Sequence, residues 1–242
     1  MAAEERIPHI LHLCWFGGGE YPVEVRACLD SWRKILPDYR IRVWGYEDAM
    51  ALDIPYVTEA LKARKWAFAA DVVRFYAVYT EGGVYMDSDI FLYSRFDGII
   101  SDGADFITFH EKCHPEHEDF GLQAAMFMGI KGNAFCKEML DYYRKQNFYN
   151  PDGTYNLMIS PLHMRQVALR HGYVSDDTLQ RLDIMTVFPT RYLKPRKRYP
   201  RTADCIGEHR VVGSWRDRPL KRRIEKKLEH LWRVAKYKLS GK

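Results

Sequence analysis

The run from Ala69 to Asp89, AADVVRFYAVYTEGGVYMDSD, places ionisable side chains inside a stretch that is otherwise apolar enough to be core. A charge taken out of water is costly unless it is paired or meets a charged ligand, so any fold of this chain must supply partners here. Asp71 and Arg74 stand three residues apart, and on a helix they project from neighbouring positions. Two readings of that pair stay open: a structural ion pair, or a polar contact to a bound molecule. Asp87 and Asp89 follow Gly82, Gly83 and the β-prone run Val84 to Met86, so they are expected at the end of a strand. Two carboxylates one residue apart repel each other unless a cation lies between them, and hard oxygen ligands of this kind suit Mn²⁺ or Mg²⁺. An isolated D-x-D is commonly a solvated turn. This one is embedded among Val84, Tyr85, Met86, Ile90, Phe91 and Leu92.

The flanking sequence predicts an α/β fold. Ile7 to Phe16 is apolar and β-prone and ends in Gly17, Gly18 and Gly19, a buried strand running into a loop; ligands of parallel sheets bind at such strand ends. Val23 to Leu36 has helical spacing and is stopped by Pro37, and Tyr39 to Gly45 alternates as a second strand. Glu59 to Tyr79 reads as one long helix with Phe68, Val72, Phe75 and Tyr79 in a stripe. Val84 to Leu92 reads as a strand interrupted by the two carboxylates. Ala104 to Phe109 and Ala124 to Gly129 are further strands, and Ala134 to Arg144 and Ser160 to His171 are helices. Strands alternating with helices imply a mostly parallel central sheet flanked by helices. Residues 1–215 are expected to form one domain. Residues 216–242 follow as a basic amphipathic helix, with Leu220, Ile224, Leu228, Leu231 and Ala235 on one side.

Charge divides the chain in the same place. Residues 216–242 hold eleven Lys or Arg against three acids, residues 191–215 seven against two, and residues 1–190 carry a net −8 within an overall +5. An acidic body with a basic tail suggests an anionic partner for the tail and a different task for the body. Trp232 and Tyr237 suit that tail to an anionic membrane surface; the alternative is a helix docked on the domain with its cations solvated. The five Cys, at 14, 28, 113, 136 and 205, form no C-x-x-C pair. Neither a disulfide framework nor a zinc ribbon is indicated, and a reducing, cytoplasmic setting is expected, peripheral on the inner face of a membrane if the tail binds lipid. Met1 to Pro8 does not read as a signal peptide, and no apolar run approaches the roughly 20 residues of a membrane-spanning helix. The cluster HEKCHPEHE, from His110 to Glu118, offers metal ligands on its face but reads as a solvated loop.

With these residues in view, the run from Ala69 to Asp89 resembles the signature of the D-x-D glycosyltransferases of family 32. Ile7, Pro8, His9, Ile10, His12, Trp15, Phe16 and Gly17 look like the family's first strand, and His209 with Gly213, Ser214 and Trp215 like its closing motif. The resemblance implies a GT-A-like nucleotide-diphospho-sugar transferase fold and retaining transfer of a hexose from a nucleotide-sugar, a UDP-sugar, to a saccharide or lipid-linked saccharide. It implies that Asp87, Asp89 and His209 hold a Mn²⁺ or Mg²⁺ ion that bridges the diphosphate, with Glu208 a rival for the third ligand. Asp71 and Arg74 match the family's donor-sugar contacts. Trp15 would stack on the nucleobase with Phe16 beside it, Gly83 and Tyr85 would approach the donor, and Ser214 and Trp215 would close over the phosphates. Glu111, just past a predicted strand, would face the acceptor.

Two rivals come from other classes. A nucleic-acid-binding protein would use the basic stretch from Arg191 onward, but would leave the acidic residues without a purpose; no nucleic-acid partner is expected. A non-catalytic binder would hold the nucleotide-sugar and transfer nothing.

Overall fold

The computed structural model of the chain describes residues 6–112, 120–194 and 200–210. It opens with β1 (Ile10–Cys14), α1 (Val23–Ile35), β2 (Arg40–Trp44), α2 (Tyr46–Met50), α3 (Pro55–Lys62) and α4 (Trp66–Glu81). There follow β3 (Gly83–Met86), β4 (Ile90–Leu92), α5 (Asp97–Ile100), β5 (Phe106–Lys112), β6 (Phe120–Leu122) and β7 (Met126–Gly129). The last are α6 (Ala134–Tyr143), α7 (Ser160–Arg170), β8 (Gln180–Arg181), β9 (Thr186–Phe188), β10 (Leu193–Lys194) and β11 (Gly207–His209). The expected tail helix, Ser214 and Trp215 lie outside the described residues, as do Cys113 to Glu118 of the His-rich cluster and Asp119 after it.

The central sheet runs β2-β1-β3-β7-β5-β9-β8, with β6 paired to β5. β2, β1, β3, β5 and β9 point the same way and β6, β7 and β8 oppose them, so the sheet is mixed and mostly parallel, as the alternation of elements implied. Side chains alternate across it in the period-2 manner of strands. Tyr85, Phe106 and Phe127 face a core shared with α3, α4, α6 and α7, whereas Val84, Met86, Ile107, Met126 and Met128 face one shared with α1. The thiols of Cys14 and Cys28 sit in these layers, and burial pushes both up to about 12, so they pack as small apolar groups. Among the described residues no helix is long and apolar enough to cross a membrane.

Two expected elements divide. The helix predicted over Glu59 to Tyr79 is two helices, because the chain turns at Arg64, which has a left-handed φ of 56°. Lys65 N donates to Ala60 O (2.9 Å) and Arg64 N to Leu61 O (3.0 Å), the paired bonds that end a helix when its C′ residue is left-handed. The strand predicted over Val84 to Leu92 is also two elements in different sheets. β3 belongs to the central sheet and β4 to a small sheet ordered β10-β11-β4, and a tight turn joins them, with Ile90 N donating to Asp87 O (3.0 Å). α1 anchors the far side of that turn: buried Trp32 donates its indole N–H to Ile90 O (2.8 Å), and Ser31 Oγ accepts from Leu92 N (3.1 Å).

Candidate active site

The parallel strands β2, β1 and β3 deliver their C-terminal ends to one edge of the sheet. There lie Gly45 and Tyr46 after β2, Trp15 to Gly19 after β1, and Asp87 to Asp89 after β3. The turn between β3 and β4 brings both aspartates to this edge. β11 pairs antiparallel with β4, setting His209 opposite Ile90, and Arg210 N donates to Asp89 O (3.0 Å). A residue 120 positions away in sequence therefore reaches the turn: His209 Nε2 lies 3.3 Å from Asp89 Oδ1.

Asp87, Asp89 and His209 each offer one ligand atom, and those atoms all lie within 4.8 Å of one another. Two carboxylates and an imidazole are a fitting set for Mn²⁺ or Mg²⁺, whose octahedral shells place neighbouring ligands at comparable separations. Burial works against a charge on His209, but Asp89, Glu111 and Asp87 overcome it and hold its pKa at about 9. Its Nδ1 is buried and has no hydrogen-bond partner among the described residues. Glu208, the rival ligand, is turned to the other side of β11, where it pairs with Lys194 Nζ (3.2 Å) and Arg210 Nε (3.0 Å). Neighbouring residues of a strand face opposite ways, so only one of Glu208 and His209 can serve the acidic turn.

Behind the turn lies a buried charged cluster. Arg74 Nη2 is 2.9 Å from Asp71 Oδ1 and 3.6 Å from Asp87 Oδ1, while its Nε donates to Ala70 O (3.0 Å) and its Nη1 to Ala124 O (2.7 Å). The ion pair between Asp71 and Arg74 is thus formed and extended to the D-x-D. Burial raises the pKa of Asp71 and of Asp87, with Arg74 opposing it in each case. Burial also disfavours the Arg74 charge, yet Asp87, Tyr85 and Asp71 hold its pKa above the usual guanidinium value. Asp87 Oδ1 further accepts the Tyr85 hydroxyl (2.6 Å), and Asp87 N donates to Ala125 O (2.7 Å). One face of Asp87 is fixed by the protein, and its second carboxylate oxygen makes no hydrogen bond among the described residues.

Several expected contacts fall elsewhere. Phe16 is a core side chain packed on the α4 side of the sheet, because it continues the inward alternation of β1. The Tyr85 ring is buried against Phe127 (5.5 Å between centroids), with its hydroxyl bonded to Asp87, so it orients that aspartate. Gly83 starts β3, four residues before Asp87 and so roughly 13 Å away at strand spacing. An added Cβ there would meet Ile10 O at 2.6 Å, so its glycine serves close packing of β3 on β1. Trp15 does stand at the edge; its Nε1 donates to Gly18 O (3.2 Å) and its ring packs on Tyr21 (5.0 Å). Glu111, near the end of β5, is close enough for its charge to act on His209. His110 is structural, its ring nitrogens bonded to the Tyr173 hydroxyl (3.0 Å) and Thr178 O (2.7 Å).

Two contributors escape a reading of the sequence. Ser160, the first residue of α7, donates to Asp71 through both its hydroxyl (2.9 Å) and its backbone N–H (3.2 Å). It stands 89 residues from its partner and carries no local signal. Trp66 opens α4 with an exposed ring lying against Gly17, where an added Cβ would meet it at 2.7 Å.

The fold is similar to that of the PaToxG glycosyltransferase, at 17% sequence identity and a TM-score of 0.51, over 69% of this chain and 70% of that one. A glycosyltransferase involved in glycosylation of the major capsid of PBCV-1 is similar at 14% identity and a TM-score of 0.46, over 84% and 93%. The expected GT-A-like architecture agrees with the likeness to the PaToxG glycosyltransferase. No curated protein matches the chain. Residues 22–105, from α1 to the start of β5 and including the D-x-D turn, match the family described as "Glycosyltransferase sugar-binding region containing DXD motif", and the chain thereby carries a glycosyltransferase domain.

Proposed function

We propose that the chain is a metal-dependent, retaining glycosyltransferase of the family 32 type, moving a hexose from a nucleotide-sugar, a UDP-sugar, to a saccharide or lipid-linked saccharide. The observation that carries this reading is the convergence of Asp87, Asp89 and His209 at the C-terminal edge of the parallel strands. Mn²⁺ or Mg²⁺ held by these three residues would neutralise the diphosphate as it leaves. Arg74 and Tyr85 hold Asp87 from behind, so its geometry is set before the donor arrives and little reorganisation is needed during the reaction. Asp71, which Arg74 and Ser160 hold, would accept hydrogen bonds from donor-sugar hydroxyls. Trp15 would present its ring to the base, with stacking worth ~1 to 3 kcal/mol at comparable sites. Residues 1–215 would form this catalytic unit. Residues 216–242 would form a basic segment suited to an anionic membrane carrying the acceptor.

The test is a panel of nucleotide-sugars assayed for hydrolysis with Mn²⁺ and with chelator. One donor, a UDP-sugar, is expected to be hydrolysed only with metal, and Asp87→Ala or Asp89→Ala to abolish that activity while the circular dichroism spectrum stays native. Full metal-dependent activity in either variant would remove the assignment.

A further inference from the structure

Next to the acidic site the surface changes character. Trp66 is 42% exposed, Tyr149 42% and Tyr155 38%, an uncommon showing for large aromatic rings. They form one strip. Trp66 leans on Gly17 at the cleft edge; Lys65 beside it reaches over the Tyr155 ring (5.5 Å), whose other face is stacked on Phe148 (5.0 Å between centroids), and Tyr155 contacts the exposed Tyr149 (5.5 Å). Both arms of the strip end at the same buried bond: Lys65 and Trp66 lead along α4 to Asp71, and the segment after Tyr155 leads to Ser160, which donates to Asp71.

The strip is also cationic. Lys62, Arg64 and Lys65 come just before Trp66 in the sequence, Lys62 and Arg64 are exposed, and none of the three forms a salt bridge among the described residues, although residues 1–190 are acidic as a whole.

We infer that this strip is the acceptor platform, and that the acceptor is an anionic oligosaccharide of several pyranose rings, bearing uronate or an equivalent acid. Sugar rings offer a C–H face that packs on aromatic rings, and spaced rings with cations between them match successive sugars carrying negative charge. The inference rests on the glycosyltransferase reading above and adds the class of its acceptor.

The full-length chain is titrated with hyaluronan hexasaccharide and with an oligogalacturonate hexamer, maltohexaose serving as the neutral counterpart, and binding is followed by tryptophan fluorescence and calorimetry. At least one anionic hexamer is expected to bind and maltohexaose to bind at least tenfold more weakly. Trp66→Ala and Tyr149→Ala should each weaken the anionic ligand roughly tenfold, about the effect of losing one stacked ring. Both residues are on the surface, and native circular dichroism of the variants accompanies the titration. Binding unchanged in both variants, equal binding of maltohexaose, or no binding by either anionic hexamer would overturn the platform. Nucleotide-sugar hydrolysis by the unaltered chain without saccharide is measured separately: its absence would remove the underlying reading, whereas hydrolysis with no oligosaccharide binding removes the platform alone.

Discussion

Arg74 is the residue on which the others lean. Its guanidinium spans Asp71 and Asp87 and uses its remaining donors on two backbone carbonyls, so one buried cation balances a buried carboxylate and a partly exposed one. Removing one partner of such a cluster leaves an uncompensated charge, at a cost of about 3–5 kcal/mol. Arg74→Met, which keeps the bulk and loses the charge, should lower the unfolding free energy by that amount in urea titrations. A loss below about 1 kcal/mol would mean that the two aspartates are not charged in the folded protein. Much of this site is legible in the sequence, because charges at helical spacing inside an apolar run must find partners. Asp71, Arg74, Asp87 and Asp89 announce themselves in that way. Ser160 does not, since a serine at a helix start is commonplace and its partner is 89 residues distant. Phe16 and Gly83 stand near the motif in sequence, but strand alternation sets Phe16 in the core and strand length sets Gly83 roughly 13 Å from Asp87, while Tyr85 meets the site through its hydroxyl on Asp87.

The elements obey hydrophobic periodicity where they are long. α1, α6 and α7 fall within a residue or so of the helices expected from apolar spacing. β8, β10 and β11 have two or three residues and leave no periodic trace. The break between α3 and α4 is hidden because Arg64 takes the left-handed place that Gly or Asn would have marked. Arg170 (2.7 Å) and His171 (Nε2, 2.7 Å) at the end of α7 both bridge to Glu138 of α6, and His171 Nδ1 lies 3.1 Å from Asp183. Burial acts against its charge, but the two carboxylates prevail and raise its pKa above 6.5. A histidine raised on folding contributes stability that is complete below its unfolded pKa and is lost as pH climbs through the folded value. The difference in unfolding free energy between the wild type and His171→Gln should therefore be largest below pH 6 and shrink steadily above about 6.5. A difference that is constant from about pH 5.5 to 8.5 would show that the charge on His171 does not join these helices.

At the scale of the molecule, the arrangement follows from one topological fact. Parallel strands end together, so the loops after β1, β2 and β3 share an edge, and the small sheet folds β11 back onto the D-x-D turn. The chain spends buried charge on that edge and compensates it from behind with Arg74, leaving Asp87, Asp89 and His209 as the group proposed to hold a cation. Manganese titration followed by electron paramagnetic resonance, with UDP present, tests this most directly. One Mn²⁺ should bind per chain, and Asp89→Asn and His209→Ala should each weaken it at least tenfold; equal binding by the wild type and both variants would contradict the assignment.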